Sequence, residues 1–318
     1  REIEGLMEHG AREGLDVETG EFFRLVGDIR SFAVHELGLS NTENYTHYVE
    51  TERDHIVDVV SAVRSDSLER YERTYPIVGR VFYRGYFRRA GAEDFASRLR
   101  SRGYDVIIRE VDAYSSLGML ADPLYSYMKS YSDYGLAEMI IHEMVHATVW
   151  IPGRNEFNEE IATFIGREAA FEFIRRRRDA DPARLQQIRN TRRDFERLLE
   201  MFRRIYRELE REYAGHPLPE GRDARLKIKE RVIGRAKERF TEDYDAMFHT
   251  ERYARLAETE WNHALIDLYM QYASDLSLYY KLLELNEGNL RETVHTILDL
   301  EDEDDPEEAL RRIIDSAE

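Results

Sequence analysis

LAEMIIHEMVHATVW, Leu136 to Trp150, is the stretch on which the reading of this 318-residue chain turns. Leu136, Met139, Ile140, Ile141, Val145 and Val149 leave it apolar on most sides, which predicts one buried helix over the whole stretch. Residues four apart on a helix share a face, so His142 and His146 can turn imidazole nitrogens toward a single ion. Glu143 is offset by about 100°, where its carboxylate reaches a water held at that ion and not the ion itself. In a chain with 10 His the pattern arises by chance only about 0.04 times. The competing picture, a surface helix with two unrelated histidines, conflicts with the apolar flanks.

A catalytic zinc site takes three protein ligands and leaves one position to water, so a third donor is expected on the next element. EFNEEIATFIG, Glu156 to Gly166, offers Glu156, Glu159 and Glu160. The chain between His146 and Glu159 is long enough for the first helix to end near Pro152–Gly153, turn and return. Asn158 reads as the N-cap of a second helix running to about Arg178, with Glu159 in its first turn. Ala162 is small enough to let that helix pack closely on the first. Acidic residues at a helix start are also ordinary dipole complements, so Glu159 is the first choice as ligand, with Glu160 and Glu156 as alternatives.

Outward from this pair the pattern is α+β: mostly helical, with a small central β-sheet packed near the helix that carries His142, Glu143 and His146. Residues up to about Arg64 read as helical, with Phe22, Phe23, Val26, Ile29, Phe32 and Ala33 at three- and four-residue spacing and Gly38 as a stop. Tyr75 to Phe87 and Tyr104 to Tyr114 read as strands around a helix bearing Phe95, Ala96 and Leu99. Leu185 to Tyr213 is a long amphipathic helix, followed by two more from about Leu226 to Phe248 and Tyr253 to Leu285. The expected organisation is a helical segment at 1–70, a catalytic core at 71–178, a long-helix region completing the cleft at 179–300, and an acidic linker with a short terminal helix at 301–318.

Composition narrows the function classes. There is no Cys, which removes disulfides, thiolate metal sites and cysteine nucleophiles. A net charge of −18 argues against nucleic acid as a partner, and the run Arg175 to Arg178 reads as helix-end dipole compensation on a solvated surface. No apolar run reaches the roughly 18 to 20 residues of a membrane span. The first residue is Arg1, not Met, which suggests that an upstream segment has been removed or left out.

His-Glu-x-x-His followed by Asn-Glu-x-x-Ala resembles the gluzincin metallopeptidases. The pieces FYRGYF, LRSRGYDV, AYSSLGML, HEMVH and FNEEIATFIGREA resemble more narrowly the bacterial putative aminopeptidase family of zinc-dependent type. Weaker similarity extends to both ends of the chain. The chain departs from the family pattern at Ala147, Gly166 and Asn262–His263. The resemblance implies one zinc ion per chain held by His142, His146 and Glu159, with Glu143 as general base in peptide hydrolysis. It also implies an exported protein, periplasmic or anchored to the membrane as a lipoprotein after loss of an N-terminal signal.

Amide hydrolysis passes through an oxyanion that needs a donor besides the metal. Tyr272 is the expected donor, because the resemblance persists there, with Tyr269 and His263 behind it. All three also fit a plain apolar stripe. Tyr114, Ser115, Ser116 and Gly118, after the second strand, are expected to line the substrate cleft, where a peptide backbone can lie along a strand edge. Arg84 and Tyr86 either face that cleft or pack beneath it. A free amino terminus would need a carboxylate, and Glu110, Asp112, Asp122 and Glu156 stand unranked. The alternative class is a helical scaffolding protein with a structural or vestigial zinc site, which a fourth protein ligand would favour.

Overall fold

The computed structural model describes residues 1–8, 15–75, 79–111, 121–271 and 275–316, and it is α+β, mostly helical with a small sheet. The helices are α1 (Ile3–Glu8), α2 (Val17–Leu37), α3 (Arg89–Ser101), α4 (Asp133–His146), α5 (Asn155–Arg176), α6 (Pro182–Tyr213), α7 (Arg222–Glu242), α8 (Tyr244–Met247), α9 (His263–Gln271), α10 (Ser277–Leu285), α11 (Leu290–Leu298) and α12 (Pro306–Asp315). The strands are β1 (Tyr48–Val49), β2 (Val57–Arg64), β3 (Arg73–Tyr75), β4 (Gly79–Val81), β5 (Tyr83–Tyr86), β6 (Tyr104–Val111) and β7 (Leu124–Tyr125). The chain divides into two units. The first comprises Arg1–Asp54, Ser115–Leu185 and Asp275–Glu318, the second His55–Tyr114 and Gln186–Ser274.

In the first unit, α2 is capped by the Asp16 carboxylate, which accepts from the Thr19 N–H at 2.7 Å. It ends at Gly38, whose φ of 78° is the left-handed stop that glycine adopts without strain. Its buried residues are the expected stripe, Phe22, Phe23, Val26, Ile29, Phe32 and Ala33, with Leu37 closing it. Helices α4 and α5 pack along each other. On α5 the buried small residues Ala162, Gly166, Ala169 and Ala170 recur at three- and four-residue spacing. A Cβ on Gly166 would lie 3.1 Å from the Glu138 carbonyl oxygen and 3.3 Å from His142 Cβ, so the backbones approach closely there and a larger residue would need its neighbours to give by a few tenths of an ångström. The last helix, α12, starts at Pro306 with Asp305 as its cap.

The second unit holds the three-stranded antiparallel sheet, in the order β5-β2-β6. Helix α3 covers it, placing Ala92, Phe95, Ala96 and Leu99 against Val60, Ala62 and Val106. A second core joins α6, α7 and α9 through Leu198, Phe202, Ile205, Leu209, Val232, Phe240 and Ile266.

Two expectations are corrected here. The N-terminal region is not helical to Arg64: among the described residues its helices end at Leu37, and Val57–Arg64 is the middle strand of the sheet. Seven of its eight residues are buried, so it lacks the alternation that marks a half-exposed strand, and a short apolar run has no diagnostic period. The two helices expected from Leu226 to Phe248 and from Tyr253 to Leu285 are also broken. The first continues only as the short α8 after Asp243, and the second becomes a 3-10 turn (Glu251–Glu258), α9 and α10.

Asp194, wholly buried on α6, holds the chain just beyond α8. Its carboxylate accepts from the backbone N–H groups of His249 and Thr250 at 2.8 to 3.0 Å and from the Thr250 hydroxyl at 2.8 Å. N–H groups committed to a side chain are lost to a continuing helix. Burial pushes the Asp194 carboxyl up, but these donors outweigh it and hold the group below its ordinary value. A carboxyl depressed in the fold stabilises above its unfolded pKa of about 3.9, and that contribution disappears as pH falls through the folded value. Asp194→Asn is therefore expected to lower stability by about 1–3 kcal/mol at neutral pH. Urea unfolding of parent and variant from pH 6 to pH 3 should show the gap shrinking toward the acid end, and a gap independent of pH would refute this account.

No helix among the described residues is long and apolar enough to cross a membrane.

Candidate metal centre

His142 and His146 occupy the last turns of α4, and Glu159 lies in the second turn of α5, all three in the first unit. The two Nε2 atoms are 3.1 Å apart, with the rings nearly perpendicular at 85°. Glu159 brings its two oxygens to 3.6 Å from His142 Nε2 and 3.4 Å from His146 Nε2. One donor atom from each residue falls within a 4.8 Å span, a grouping able to hold a metal ion. No fourth His, Asp or Glu joins the group among the described residues.

Exposure is graded across the three. The His146 side chain is 6% exposed, His142 23% and Glu159 58%. The histidines thus form the floor, and the carboxylate stands at a side open to solvent. Burial pushes the Glu159 carboxyl up, but hydrogen bonds from both histidines and their charge hold it far below the usual carboxylate range. For His142, burial favours the neutral ring, yet Glu159 and the charge of Glu143 raise its affinity for a proton overall. Glu143 Oε2 and His146 Nδ1 are buried with no partner among the described residues.

Asn158 is not the cap expected of it. Helix α5 begins at Asn155, and the fully buried Asn158 side chain turns back to the connecting loop. Its Nδ2 donates to the Ile151 carbonyl at 2.8 Å, and its Oδ1 accepts from the Ile151 N–H at 3.0 Å. This two-point clamp fixes the return of the chain between His146 and Glu159, and so fixes where Glu159 stands. Asn158→Ala would orphan both backbone groups of Ile151, at about 2–4 kcal/mol by the desolvation of two buried polar groups. It should also weaken metal retention, checked by chemical denaturation and by metal content after dialysis.

The alternatives to Glu159 point elsewhere. Glu160 accepts from the Tyr279 hydroxyl at 3.2 Å. Burial, helped by the charges of Glu156, Glu307 and Asp275, pushes its carboxyl up to about 7 against the opposing Tyr279 bond. Glu156 is exposed in the first turn of α5.

Of the supporting residues, Tyr272, Tyr114, Ser115, Ser116, Gly118 and Asp112 lie outside the described residues. His263 belongs to the second unit, where its ring joins the Tyr213 hydroxyl at 2.9 Å and the Arg64 carbonyl at 2.8 Å. Tyr269 stacks on Phe202 at 4.4 Å within the same unit. Both serve that unit's interior. Arg84 and Tyr86 pack on Phe95 of α3, at 5.2 and 5.8 Å. Glu110 lies 3.8 Å from Arg89, also in the second unit. Asp122 holds residues 44 and 45 through its backbone, with its N–H on Asn44 Oδ1 and its carbonyl on the Tyr45 N–H. In the Arg175–Arg178 run, Arg175 and Arg176 pair with Glu172 and Arg177 with Asp179, so three of its four guanidinium groups are ion-paired.

The family model described as "Putative aminopeptidase" matches residues 3–311, nearly the whole chain. No curated protein and no solved structure matches it significantly.

Proposed function

We propose, from the premise that the chain belongs to the putative aminopeptidase family, that it is a zinc-dependent metallopeptidase of gluzincin type acting on peptides from the amino end. The observation that carries this reading is the convergence of two imidazoles and one carboxylate within 4.8 Å, open to solvent on the Glu159 side. Two nitrogens and one oxygen suit zinc, and three protein donors with an open side suit a catalytic site better than a closed structural one. That open side weighs against the scaffolding alternative.

His142, His146 and Glu159 would hold one ion per chain. Once bound, zinc would supply a Lewis acid that polarises the scissile carbonyl and acidifies a water. Glu143, one residue past His142, accepts the proton of the attacking water on its carboxylate. It then delivers that proton to the leaving amine nitrogen as the C–N bond breaks. Its buried and unpartnered Oε2 is not engaged by another side chain among the described residues, which supports this role. The strongly acidic Glu159 stays ionised, as a carboxylate ligand must.

The test is hydrolysis of a panel of free and N-blocked peptides, with and without a chelator. Free-amino peptides should be cleaved, blocked ones should resist, and the chelator should abolish turnover until zinc is restored. Equal cleavage of blocked peptides would replace the aminopeptidase reading with an endopeptidase one, and chelator-insensitive turnover would remove the metal from the mechanism. The exported or envelope-anchored location implied by the resemblance is part of the same proposal, and cell fractionation of the native gene product tests it.

A further inference from the structure

His142, His146 and Trp150 recur at four-residue intervals, and their rings form a ladder with His146 as the middle rung. The His146 ring centroid is 4.8 Å from that of His142 and 5.7 Å from that of Trp150. The interplanar angles are 85° and 67°, both in the edge-to-face range that aromatic rings prefer. Helix α4 stops at His146, so Trp150 lies beyond its regular end. The chain still keeps a helical bond there, from the Val149 N–H to the Val145 carbonyl at 2.9 Å. Trp150 is half-buried between two buried neighbours, Val149 and Ile151, and Asn158 clamps both backbone groups of Ile151. Anchors on either side thus fix where the indole can stand.

A metal-binding histidine ordinarily has its ring plane set by the second nitrogen, which donates to a carboxylate, a carbonyl or a water. His146 lacks such a protein partner: its Nδ1 is buried and unbonded among the described residues. The torsion that turns an imidazole about its Cβ–Cγ bond is broad, with no sharp well to hold it. A ring left free to turn would swing Nε2 away from an ion, at a cost in affinity. Packing is what remains to hold the plane, and the rings against His146 are those of His142 and Trp150. His142 is itself one of the three grouped donors, so it is no independent brace. Trp150 is. Its place against His146 agrees with the shielding of that side chain, 6% exposed against 23% for His142.

We propose that Trp150 is a positioning residue of the metal centre: its ring, edge-to-face on His146, stands in for the missing hydrogen bond at Nδ1 and keeps Nε2 turned toward the ion. The inference rests on the reading of His142, His146 and Glu159 as zinc ligands. A parent protein that binds no zinc would remove that reading and this one together. Where the parent does bind zinc, the variants of Trp150 alone decide its role.

Trp150→Leu keeps an apolar side chain at that place but no ring, whereas Trp150→Phe keeps an aromatic one. Zinc affinity of the metal-free full chain is read by competition with a chromophoric chelator. It should fall about tenfold in Trp150→Leu, the lower end of what loss of an orienting partner costs a metal site. Trp150→Phe should recover most of that loss. Cobalt in place of zinc gives a second reading that needs no turnover. Its visible absorption, which follows the arrangement of the ligands, should change in Trp150→Leu and return toward the parent in Trp150→Phe. Trp150 is one of only two tryptophans, so the indole emission that cobalt quenches in the parent should no longer be quenched in Trp150→Phe. Equal zinc affinity in the parent and Trp150→Leu, equal losses in both variants, or a quench that survives in Trp150→Phe would overturn the proposal.

Discussion

Glu143→Gln is expected to retain zinc and to lose peptide hydrolysis by about 10²- to 10⁴-fold, the usual contribution of a positioned general base. The amide has nearly the shape of the carboxylate but takes up no proton near neutral pH, so the substitution separates proton transfer from packing. Glu143 is not one of the three grouped donors, and for that reason metal content should not move. The measurement is kcat together with elemental analysis on the same preparation. Full activity in the variant would assign the base elsewhere. Loss of zinc along with activity would mean that Glu143 acts on the metal site itself.

Glu159→Ala should produce the larger chemical change, because it removes a donor and leaves two imidazoles to hold the ion. Zinc affinity is expected to fall by more than about 100-fold, beyond the range typical for partners that merely orient a ligand. Hydrolysis should fall with it, and His142→Ala should behave alike. Elemental analysis of parent and variant purified without added metal reads the effect directly. Glu160→Ala is the matched control: its carboxylate is engaged by Tyr279, so it should keep zinc. Retention of zinc by Glu159→Ala together with its loss in Glu160→Ala would transfer the ligand role one residue along the helix.

Some of this was legible in the order of residues, and the reason is locality. The spacing of His142 and His146 is a property of one helix turn, as is the offset of Glu143. The helix that carries them was read correctly at its centre but displaced along the chain: it starts at Asp133 and stops at His146, where Ala147, Thr148 and Val149 turn out of it. The amphipathic α6, the sheet-covering α3 and its strand neighbours were visible for the same reason, since each carries its own period. Val57–Arg64 was not. A strand buried on both faces has no alternation to show, and its β-branched run can pass for the end of a helical region.

Asn158 shows a different limit. Its residue type and its place before Glu159 fit a helix cap, yet its partners are the backbone groups of Ile151, seven residues back in a loop whose path no local pattern gives. Asp194 is similar, since from a distant helix it holds the chain beyond α8 through the N–H groups of His249 and Thr250. Gly166 stands where the family pattern favours an acidic residue. Only the crossing of α4 and α5 shows that a side chain there would crowd the backbone carbonyl of Glu138 and the Cβ of His142.

By itself the sequence determined the α+β class, the helix with its two histidines and glutamate, and the short choice among Glu156, Glu159 and Glu160, because all of these follow from spacing along one or two local elements. Only the tertiary structure brought Glu159, and not Glu156 or Glu160, beside the two histidines, and made Val57–Arg64 a central strand. Those outcomes depend on which buried polar groups find partners across the fold, and pairing between residues far apart in the chain leaves no period to read.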